Sequence, residues 1–257
     1  MAKVEAQEDK PKQIDILTLF PEFFTSPLSQ SMLKRAQALG AVTYRVLNLR
    51  DFAAGRHKVT DDRPFGGGPG MVLKIEPLVA AIRWVRSEAE DTWVILMSPQ
   101  GVLFTQEKAR ELAARRQLLL ICGHYEGVDD RLRHYIDEEL SIGDYILTGG
   151  EIPALVVIDA VTRLLPGVLG GEGAAEEESF QTGLLEHPHY TRPRVFEGHE
   201  VPEVLLSGDH ARVARWRHEQ ALRRTVRLRP DLIKTASLTS EDREFLAHLK
   251  ESGEENR

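Results

Sequence analysis

The sequence predicts an α/β fold, and two of its patterns carry that prediction. Up to about residue 169, short apolar runs with strand character alternate with longer segments of helical periodicity. This alternation is typical of a largely parallel sheet with helices on its faces. Further along the chain, a segment rich in proline and histidine leads into helical sequence without such strands. We therefore expect a parallel-sheet domain followed by a small all-helical domain.

The individual elements follow from local signals in chain order. Strands are predicted at 14–20, 42–49, 93–97 and 117–122, and helices at 21–39, from 77 onward, at 105–115, 152–165 and 209–228, with a last helix opened by Thr239. Leu78, Ile82 and Val85 recur at helical spacing in the second of these helices. Asp242 follows Thr239 at the spacing of a capping box, which marks the start of the last helix.

The domain boundary is predicted from a change in composition. Residues 170–179 hold glycines, alanines and glutamates but no large apolar side chain. Such a segment cannot bury enough surface to order itself alone. We therefore expect a disordered polar tail at 1–13, the α/β domain at 14–169, a flexible linker at 170–180 and the helical domain at 181–257.

Composition limits the cellular context. No apolar run approaches the ~20 residues that span a bilayer, and the polar first residues lack the apolar core of a secretory signal. Cys122 is the single cysteine, so the chain forms no internal disulfide, and we expect this thiol to be a small buried apolar group. These features predict a cytoplasmic protein without membrane association.

Three glycine-bearing turns, at 97–101, 122–127 and 141–151, are the most informative feature of the first domain. The first two directly follow predicted strands. Turns at the carboxyl ends of neighbouring parallel strands converge on one crevice, and glycine lets the backbone approach a ligand closely. The turns are therefore predicted to be three walls of one pocket, although each alone could be an ordinary tight turn.

The chemistry of these turns narrows the ligand. The chain has neither a glycine-rich phosphate loop ending in lysine nor a dinucleotide-binding fingerprint. The turns carry apolar side chains with Glu126, Asp144 and Glu151, but no lysine or arginine. This composition favours a neutral or cationic adenosine-type ligand, such as S-adenosylmethionine, over a polyphosphate.

Two other segments suggest contact with RNA. Seven arginines lie between Arg212 and Arg229, with Glu219 as the one acid among them, and a basic helical face of this density suits phosphate. The loop at 56–71 combines basic residues, paired aspartates, glycines and prolines. Both segments have a second interpretation, a solvated helix face for the first and internal ion pairs for the second.

Motifs for other chemistries are weak or missing. His187-Pro188-His189 is a lone H-x-H pair without a recognised Cys or carboxylate spacing, so no dedicated metal site is predicted. The signatures of serine hydrolases, zincins and thioredoxin-like proteins are not found in the sequence.

Long motifs across almost the whole chain resemble one family. They are DDRPFGGGPGM at 61–71, SPQG at 98–101, CGHYEG at 122–127, SIGDYILTGGE at 141–151, PGVLG at 166–170, PHYTRP at 188–193, and VPEVLLSGDH followed by RWR up to 217. In this order they resemble the TrmD family of bacterial tRNA (guanine-N1)-methyltransferases, in the SPOUT superfamily. The resemblance implies a trefoil-knotted α/β domain, a linker, and a helical domain that grips the tRNA anticodon stem-loop.

The resemblance also implies an activity. The family transfers a methyl group from S-adenosylmethionine to N1 of the guanine immediately 3′ of the anticodon, position 37. It acts as a homodimer in which linker and helical-domain residues of one subunit complete the donor site of the other, and it is magnesium-dependent. Two alternatives stay open: a knotted methyltransferase for another RNA atom, such as a ribose 2′-oxygen, or an RNA-binding relative without catalysis.

Site residues carry over position by position. The residues implied for the methyl donor are Ser98, Pro99, Gly123, Tyr125, Glu126, Ser141, Ile142, Gly143, Asp144, Tyr145, Ile146, Leu147, Gly149 and Gly150. Substrate contacts are expected at Asp61, Gly67, Gly68, Arg192, Arg215, Arg217 and Arg223.

The catalytic pair departs from the family pattern at one position. The family's assisting arginine maps onto Arg163, and its general-base aspartate maps onto Glu178. Glutamate keeps the carboxylate but moves it outward by one methylene. We expect Glu178 to be the base, with Glu177 as the neighbour that could take its place.

Overall fold

The computed structural model describes residues 11–170, 178–180 and 183–252. The chain divides into two compact units, Met1–Gly170 and Gly171–Arg257. The predicted linker falls largely on residues 171–177 and 181–182, which lie outside the described residues. The predicted domain limits therefore stay a prediction.

A five-stranded sheet forms the centre of the first unit. Its strands are β1 (Lys12–Thr18), β2 (Val42–Asn48), β5 (Trp93–Leu103), β6 (Gln117–Cys122) and β7 (Glu138–Ser141). Their order is β2-β1-β6-β5-β7, and every neighbouring pair is parallel. The predicted parallel sheet is thus confirmed, and β6, β5 and β7 lie side by side at one edge.

Helices cover both faces of this sheet. They are α1 (Thr25–Leu28), α2 (Ser31–Ala38), α3 (Ile75–Glu88), α4 (Gln106–Ala114) and α5 (Glu151–Thr162). Alternate residues of β6 divide between two cores: Leu118 and Leu120 pack in one with residues of α2, α4 and α5, while Leu119 and Ile121 pack in the other with residues of α3. Because both faces are buried, the strand is continuously apolar rather than alternating.

The first strand begins earlier than predicted. Lys12 and Gln13, assigned to the polar tail, pair with Val42 and Thr43 of β2. The Lys12 ammonium is buried and donates to the carbonyls of Leu112, at 2.7 Å, and Arg115 at the end of α4. These bonds satisfy helix-terminal carbonyls that have no intrahelical partner, and burial lowers the pKa of Lys12 to about 8.

The predicted helix at 21–39 is interrupted. A 3-10 turn (Pro21–Phe24) and α1 precede a break at Ser29 and Gln30, after which α2 begins. The Ser29 hydroxyl donates to the carbonyl of Ser26 at 2.8 Å, and the Ser29 amide donates to the same oxygen. This competition between a serine side chain and the helical ladder ends α1.

The loop at 56–71 is closed by a short ladder. Strand β3 (Asp61–Asp62) pairs antiparallel with β4 (Val72–Leu73). Before the ladder, Lys58 forms an exposed ion pair with Asp51 at 2.7 Å. An ion pair is therefore present at the start of the loop, although its acid lies outside residues 56–71. Further along, the positive φ angles of the loop glycines set the path of the backbone.

The second unit contains helices and one hairpin. The helices are α6 (His210–Leu228), α7 (Pro230–Ile233) and α8 (Ser240–Ser252), and β8 (Val195–Phe196) pairs antiparallel with β9 (His199–Glu200). The prediction of an all-helical domain is wrong in this respect. Glu197 and Gly198 both have positive φ, 51° and 84°, as a two-residue type I′ hairpin turn requires.

Local helix signals in the second unit were predicted correctly. The Asp209 carboxylate accepts from the amide of Arg212 at 3.0 Å at the start of α6. Thr239 and Asp242 exchange the two bonds of a capping box before α8, at 3.2 and 2.9 Å. None of the helices in the described part of the chain is long and apolar enough to cross a bilayer.

Candidate active site

The three glycine turns line one cleft of about 420 Å³ at the carboxyl edge of β5, β6 and β7. This size is in the usual range of small-molecule sites. Of the residues predicted to hold the methyl donor, all except Asp144 line the cleft. Asp144 is exposed, and its contact with the donor stays a prediction.

The first turn is a bulge within a strand. Strand β5 does not end at Met97 but continues to Leu103, and both Met97 and Val102 pair with Leu140 of β7. The residues between them bulge toward the cleft, where the amide of Gln100 donates to the hydroxyl of Ser98 at 3.2 Å. A side chain on Gly101 would lie 2.4 Å from the carbonyl carbon of Glu139, so only glycine allows this packing.

The second turn follows β6 and is tied to the glycine-rich loop. The amide of Glu126 donates to the carbonyl of Met71 at 3.1 Å, and the amide of Leu73 donates to the carbonyl of Gly127 at 2.9 Å. A Cβ on Gly70 would lie 2.3 Å from the Glu126 carboxylate. The loop thus packs directly behind a carboxylate of the cleft.

The third turn returns from β7 to the second turn. The amide of Gly150 donates to the carbonyl of Gly123 at 2.9 Å, and Gly149 forms a β-bridge with His124. Within the turn, the Ser141 hydroxyl accepts from the amide of Gly143 at 3.2 Å. The bonds of Gly149 and Gly150 fix the third wall of the cleft against the second, and the bond between Gly143 and Ser141 shapes the third turn itself.

The cleft presents unfilled apolar surface. Tyr145 is 53% exposed and Ile146 81% exposed at its wall. Large apolar side chains that face solvent next to a concave site indicate a ligand that covers them. An adenosine-type ligand has the flat apolar surface that such walls bury.

The cleft also contains an arginine that the sequence analysis did not predict, and this arginine is paired with carboxylates. Arg133 lines the cleft from a 3-10 turn (Asp130–His134), although the glycine turns themselves carry no cation. Its guanidinium lies 2.7 Å from Asp130 and 3.3 Å from Glu139, and it donates to the Gln100 side chain at 3.1 Å. No local sequence signal places Arg133 here, because the fold brings its turn to the edge of the sheet.

Cys122 is buried, as the sequence predicts, whereas the sequence analysis assigns no role to His124. Burial, with a contribution from Glu151, raises the pKa of the Cys122 thiol well above its ordinary value, so this group is a poor nucleophile. His124 lines the cleft, and its buried Nδ1 has no hydrogen-bond partner among the residues that the structure describes.

The expected substrate residues divide between the two units. Asp61 lies in β3, and Gly67 and Gly68 follow in the loop with φ of 78° and 119°; none of them lines the cleft. Arg192 and Arg217 line a separate cleft of about 580 Å³ in the second unit, together with Arg194.

The other two substrate arginines lie on α6 outside that second cleft. Arg215 is exposed, and the guanidinium of Arg223 lies 5.2 Å from the centre of the Phe245 ring. The ring of Tyr190, which lines the cleft, lies 6.3 Å from that of Trp216 on α6. Arginines beside aromatic rings are typical of nucleic-acid surfaces.

The expected catalytic residues belong to different units of the chain. Arg163 is the C-cap of α5 in the first unit, where its amide donates to the carbonyl of Asp159 at 3.1 Å. Glu178 is half-buried in the second unit, beside Ser179, whose hydroxyl accepts from the amide of Glu186 at 3.0 Å. Their catalytic roles stay predictions.

One cluster in the second unit is a candidate metal site, whereas the sequence predicts no dedicated one. Glu186, His187 and His189 each offer a ligand atom, and these atoms lie within 4.8 Å of one another. The H-x-H pair is therefore accompanied by a carboxylate. Glu186 immediately precedes the H-x-H pair in the sequence, but this arrangement matches none of the usual spacings of metal ligands.

Comparison with known proteins agrees with this geometry. A family model described as tRNA (Guanine-1)-methyltransferase TrmD matches residues 12–235. A tRNA (guanine-N(1)-)-methyltransferase of Geobacter metallireducens is 53% identical over 93% of this chain and 98% of its own. One of Dictyoglomus turgidum is 55% identical over 93% and 96%, and one of Moorella thermoacetica 56% over 92% and 96%. The chain belongs to the TrmD family of tRNA (guanine-1)-methyltransferases.

Proposed function

We propose that this protein transfers a methyl group from S-adenosylmethionine to N1 of the guanine at position 37 of tRNA, immediately 3′ of the anticodon. The observation that carries the proposal is the single cleft that the three glycine turns of a TrmD-family chain line together. The comparisons do not favour methylation of another RNA atom or a non-catalytic role. The working location is the cytoplasm, where the tRNA substrate occurs.

The residues of the cleft suit S-adenosylmethionine. Apolar side chains such as Ile146 and Tyr145 would cover the adenosine, and the Glu126 carboxylate would face a positive charge of the ligand. When bound, this cofactor supplies a methyl group activated by its sulfonium. The chain's own residues would exclude water from that methyl group and hold it toward the base.

Methylation of guanine N1 requires two further groups, a general base and a cation. N1 of neutral guanine carries a proton, so a base must remove it while a cation supports the negative charge that develops on O6. Glu178 would accept the N1 proton and Arg163 would support O6. A positioned general base contributes about 10²- to 10⁴-fold to rate.

The knot of the first unit belongs to the same proposal. The third turn returns to lie directly on β6, where a Cβ on Gly150 would be 2.6 Å from Cα of Cys122. The trefoil topology that the family resemblance implies would bring these two segments together in this way. The threaded segment would then be the wall that holds the methyl donor.

A homodimer would complete the site. Ile152 and Val156 lie one turn apart on α5 and are 48% and 41% exposed, which supports an apolar surface for a second copy of this chain. We place the methyl donor in one subunit and the base Glu178 in the other. Arg192, Arg215, Arg217 and Arg223 would hold the phosphates of the anticodon stem-loop.

The steps proposed for methyl transfer do not use magnesium. Mg²⁺ prefers oxygen ligands in octahedral geometry. The carboxylates Asp130 and Glu139 of the cleft are paired with Arg133, and the candidate metal cluster found among the described residues contains two histidines. These residues do not fit a dedicated magnesium site.

Methyl transfer to an unmodified tRNA tests the proposal. We expect label from S-adenosylmethionine to enter tRNA with guanine at position 37, and reverse transcription to stop there because N1 methylation blocks base pairing. The matched control is the same tRNA with adenine at position 37, which should stay unlabelled. Label that appears without a stop would indicate another target atom, and the absence of label would reject the activity.

A further inference from the structure

The cluster of Glu186, His187 and His189 lies in the second unit, and none of its residues lines the methyl-donor cleft. Nε2 of His189 is 2.7 Å from Oε1 of Glu186, and the rings of His187 and His189 have centroids 4.6 Å apart. The two imidazoles and the carboxylate therefore converge on one point. Two imidazoles with one carboxylate form the ligand set of many zinc sites that keep an open position.

The backbone around the cluster is anchored. The amide of Glu186 donates to the hydroxyl of Ser179 at 3.0 Å, and the amide of Leu185 donates to the hydroxyl of Thr225 on α6 at 2.9 Å. Pro188 between the histidines restricts the backbone further. The three side chains thus start from a fixed segment, which reduces the conformational entropy lost when they bind an ion.

The hydrogen bond of His187 orients its ring. Its Nδ1 lies 3.2 Å from the carbonyl oxygen of Pro188, and because a carbonyl only accepts, this bond requires the tautomer with the hydrogen on Nδ1. That tautomer leaves the lone pair of the ring on Nε2. Histidines that bind metals usually donate their other ring N–H to a carbonyl or carboxylate in this way, which orients the ring.

The distances suit an ion after a small adjustment. Bonds of about 2.0–2.2 Å to nitrogen and oxygen in tetrahedral geometry separate the ligand atoms by about 3.4 Å. The observed separations run from 2.7 Å for Glu186 and His189 up to 4.8 Å for the cluster. The His189 side chain is 66% exposed, so it can rotate to accommodate the ion.

The surroundings define the ligand class. Nitrogen ligands favour zinc and its neighbours over magnesium, which prefers oxygen. Both histidines line the second cleft with Arg192, Arg194 and Arg217, whose positive charge opposes a cation and limits its affinity. We propose that Glu186, His187 and His189 bind one divalent transition-metal ion of the zinc class, with its open position facing this cleft.

Metal titration of the full-length protein, prepared without a histidine tag and stripped with a chelator, tests the site. We expect one equivalent of Zn²⁺ to bind with micromolar affinity by calorimetry, and Co²⁺ to give the visible absorption of a tetrahedral site. His189→Ala and Glu186→Gln should each weaken Zn²⁺ binding at least tenfold. His199→Ala, which removes an exposed histidine from β9 of the same unit, should leave binding unchanged.

Three outcomes would overturn the site: no stoichiometric Zn²⁺ binding by the parent protein, equal affinity in the two cluster variants, or an equal loss in His199→Ala. Any of these would leave Glu186 and His189 as a surface ion pair only. Circular dichroism melting curves identify a variant that fails to fold. In that case His187→Gln, which retains a polar side chain at a second ligand position, replaces it in the comparison.

Discussion

At Gly150 the backbone of the third turn lies directly against β6. A Cβ there would be 2.6 Å from Cα of Cys122 and 2.9 Å from the amide nitrogen of Gly123. Both neighbours are backbone atoms of a buried strand end, which cannot move aside as a flexible side chain could. The residue thus sets the distance between two walls of the cleft.

Gly150→Ala should therefore open the cleft. We expect the Kd for S-adenosylmethionine to rise at least tenfold, about 1.4 kcal/mol, as measured by calorimetry. Gly170→Ala is the matched control, because its Cβ would meet only the Arg35 guanidinium at an ordinary 3.6 Å. Unchanged donor affinity in Gly150→Ala would show that the walls are not held by this contact.

Variants of Glu178 test whether glutamate serves as the general base in place of the family's aspartate. Glu178→Ala should lower kcat for tRNA methylation by about 10²- to 10⁴-fold, the usual contribution of a general base, whereas Glu178→Asp should restore most of the rate. The control is Glu177→Ala, which should keep the parent rate. If single-turnover kinetics show the loss in Glu177→Ala instead, the base is the neighbouring carboxylate.

At the scale of an element, α8 depends on its capping box. Burial opposes ionisation of Asp242, but hydrogen bonds from the Thr239 backbone and from His218, at 2.6 Å, hold its pKa below the ordinary 3.8. A carboxyl group whose folded-state pKa is depressed adds stability at pH above its unfolded value, and that stability is lost as the pH falls through the folded value.

Asp242→Ala should accordingly destabilise α8 by about 1–2 kcal/mol at pH 7. Hydrogen exchange of the α8 amides measures this as a lower free energy of local opening. The difference between parent and variant should shrink as the pH falls below the ordinary pKa of 3.8 and the carboxyl group of the folded protein becomes protonated. Glu241→Ala changes the exposed acid next to it and should have little effect; an equal loss there would point to helix charge rather than the capping box.

At the scale of the whole molecule, the two residues proposed for catalysis come from different units of the chain. Arg163 ends α5 in the first unit and Glu178 belongs to the second. Under the proposed homodimer, each active site takes these two residues from different subunits. Two inactive variants can then complement each other, which is a property no monomeric site has.

Mixing Arg163→Ala with Glu178→Ala, after subunit exchange, should restore methyl transfer. Half of the dimers would be mixed, and one of the two sites in each would hold both native residues, so activity should reach about a quarter of the parent value. A double variant, Arg163→Ala with Glu178→Ala, mixed with parent protein provides the opposite control. Activity that stays at the level of the separate variants would place both residues of a site in one subunit.

Local sequence patterns determine many of the strands and helices of this protein. The buried strands, the helix periodicity of α3 and the capping of α6 and α8 follow from short-range patterns, because apolar spacing and cap chemistry act over a few residues. The glycine turns were predicted to converge because carboxyl ends of parallel strands share one edge. The family motifs then assigned residues to the cleft with Asp144 as the exception.

Only the tertiary structure decided the rest. The sheet order brings Arg133 beside Gln100, the bulge of β5 requires close packing on β7, and the glycine-rich loop lies behind Glu126; each joins segments that are distant in sequence. The hairpin of the second unit and the convergence of Glu186 with His189 likewise depend on backbone angles that composition does not specify. Local patterns fix which elements form, whereas long-range packing fixes which side chains share a site.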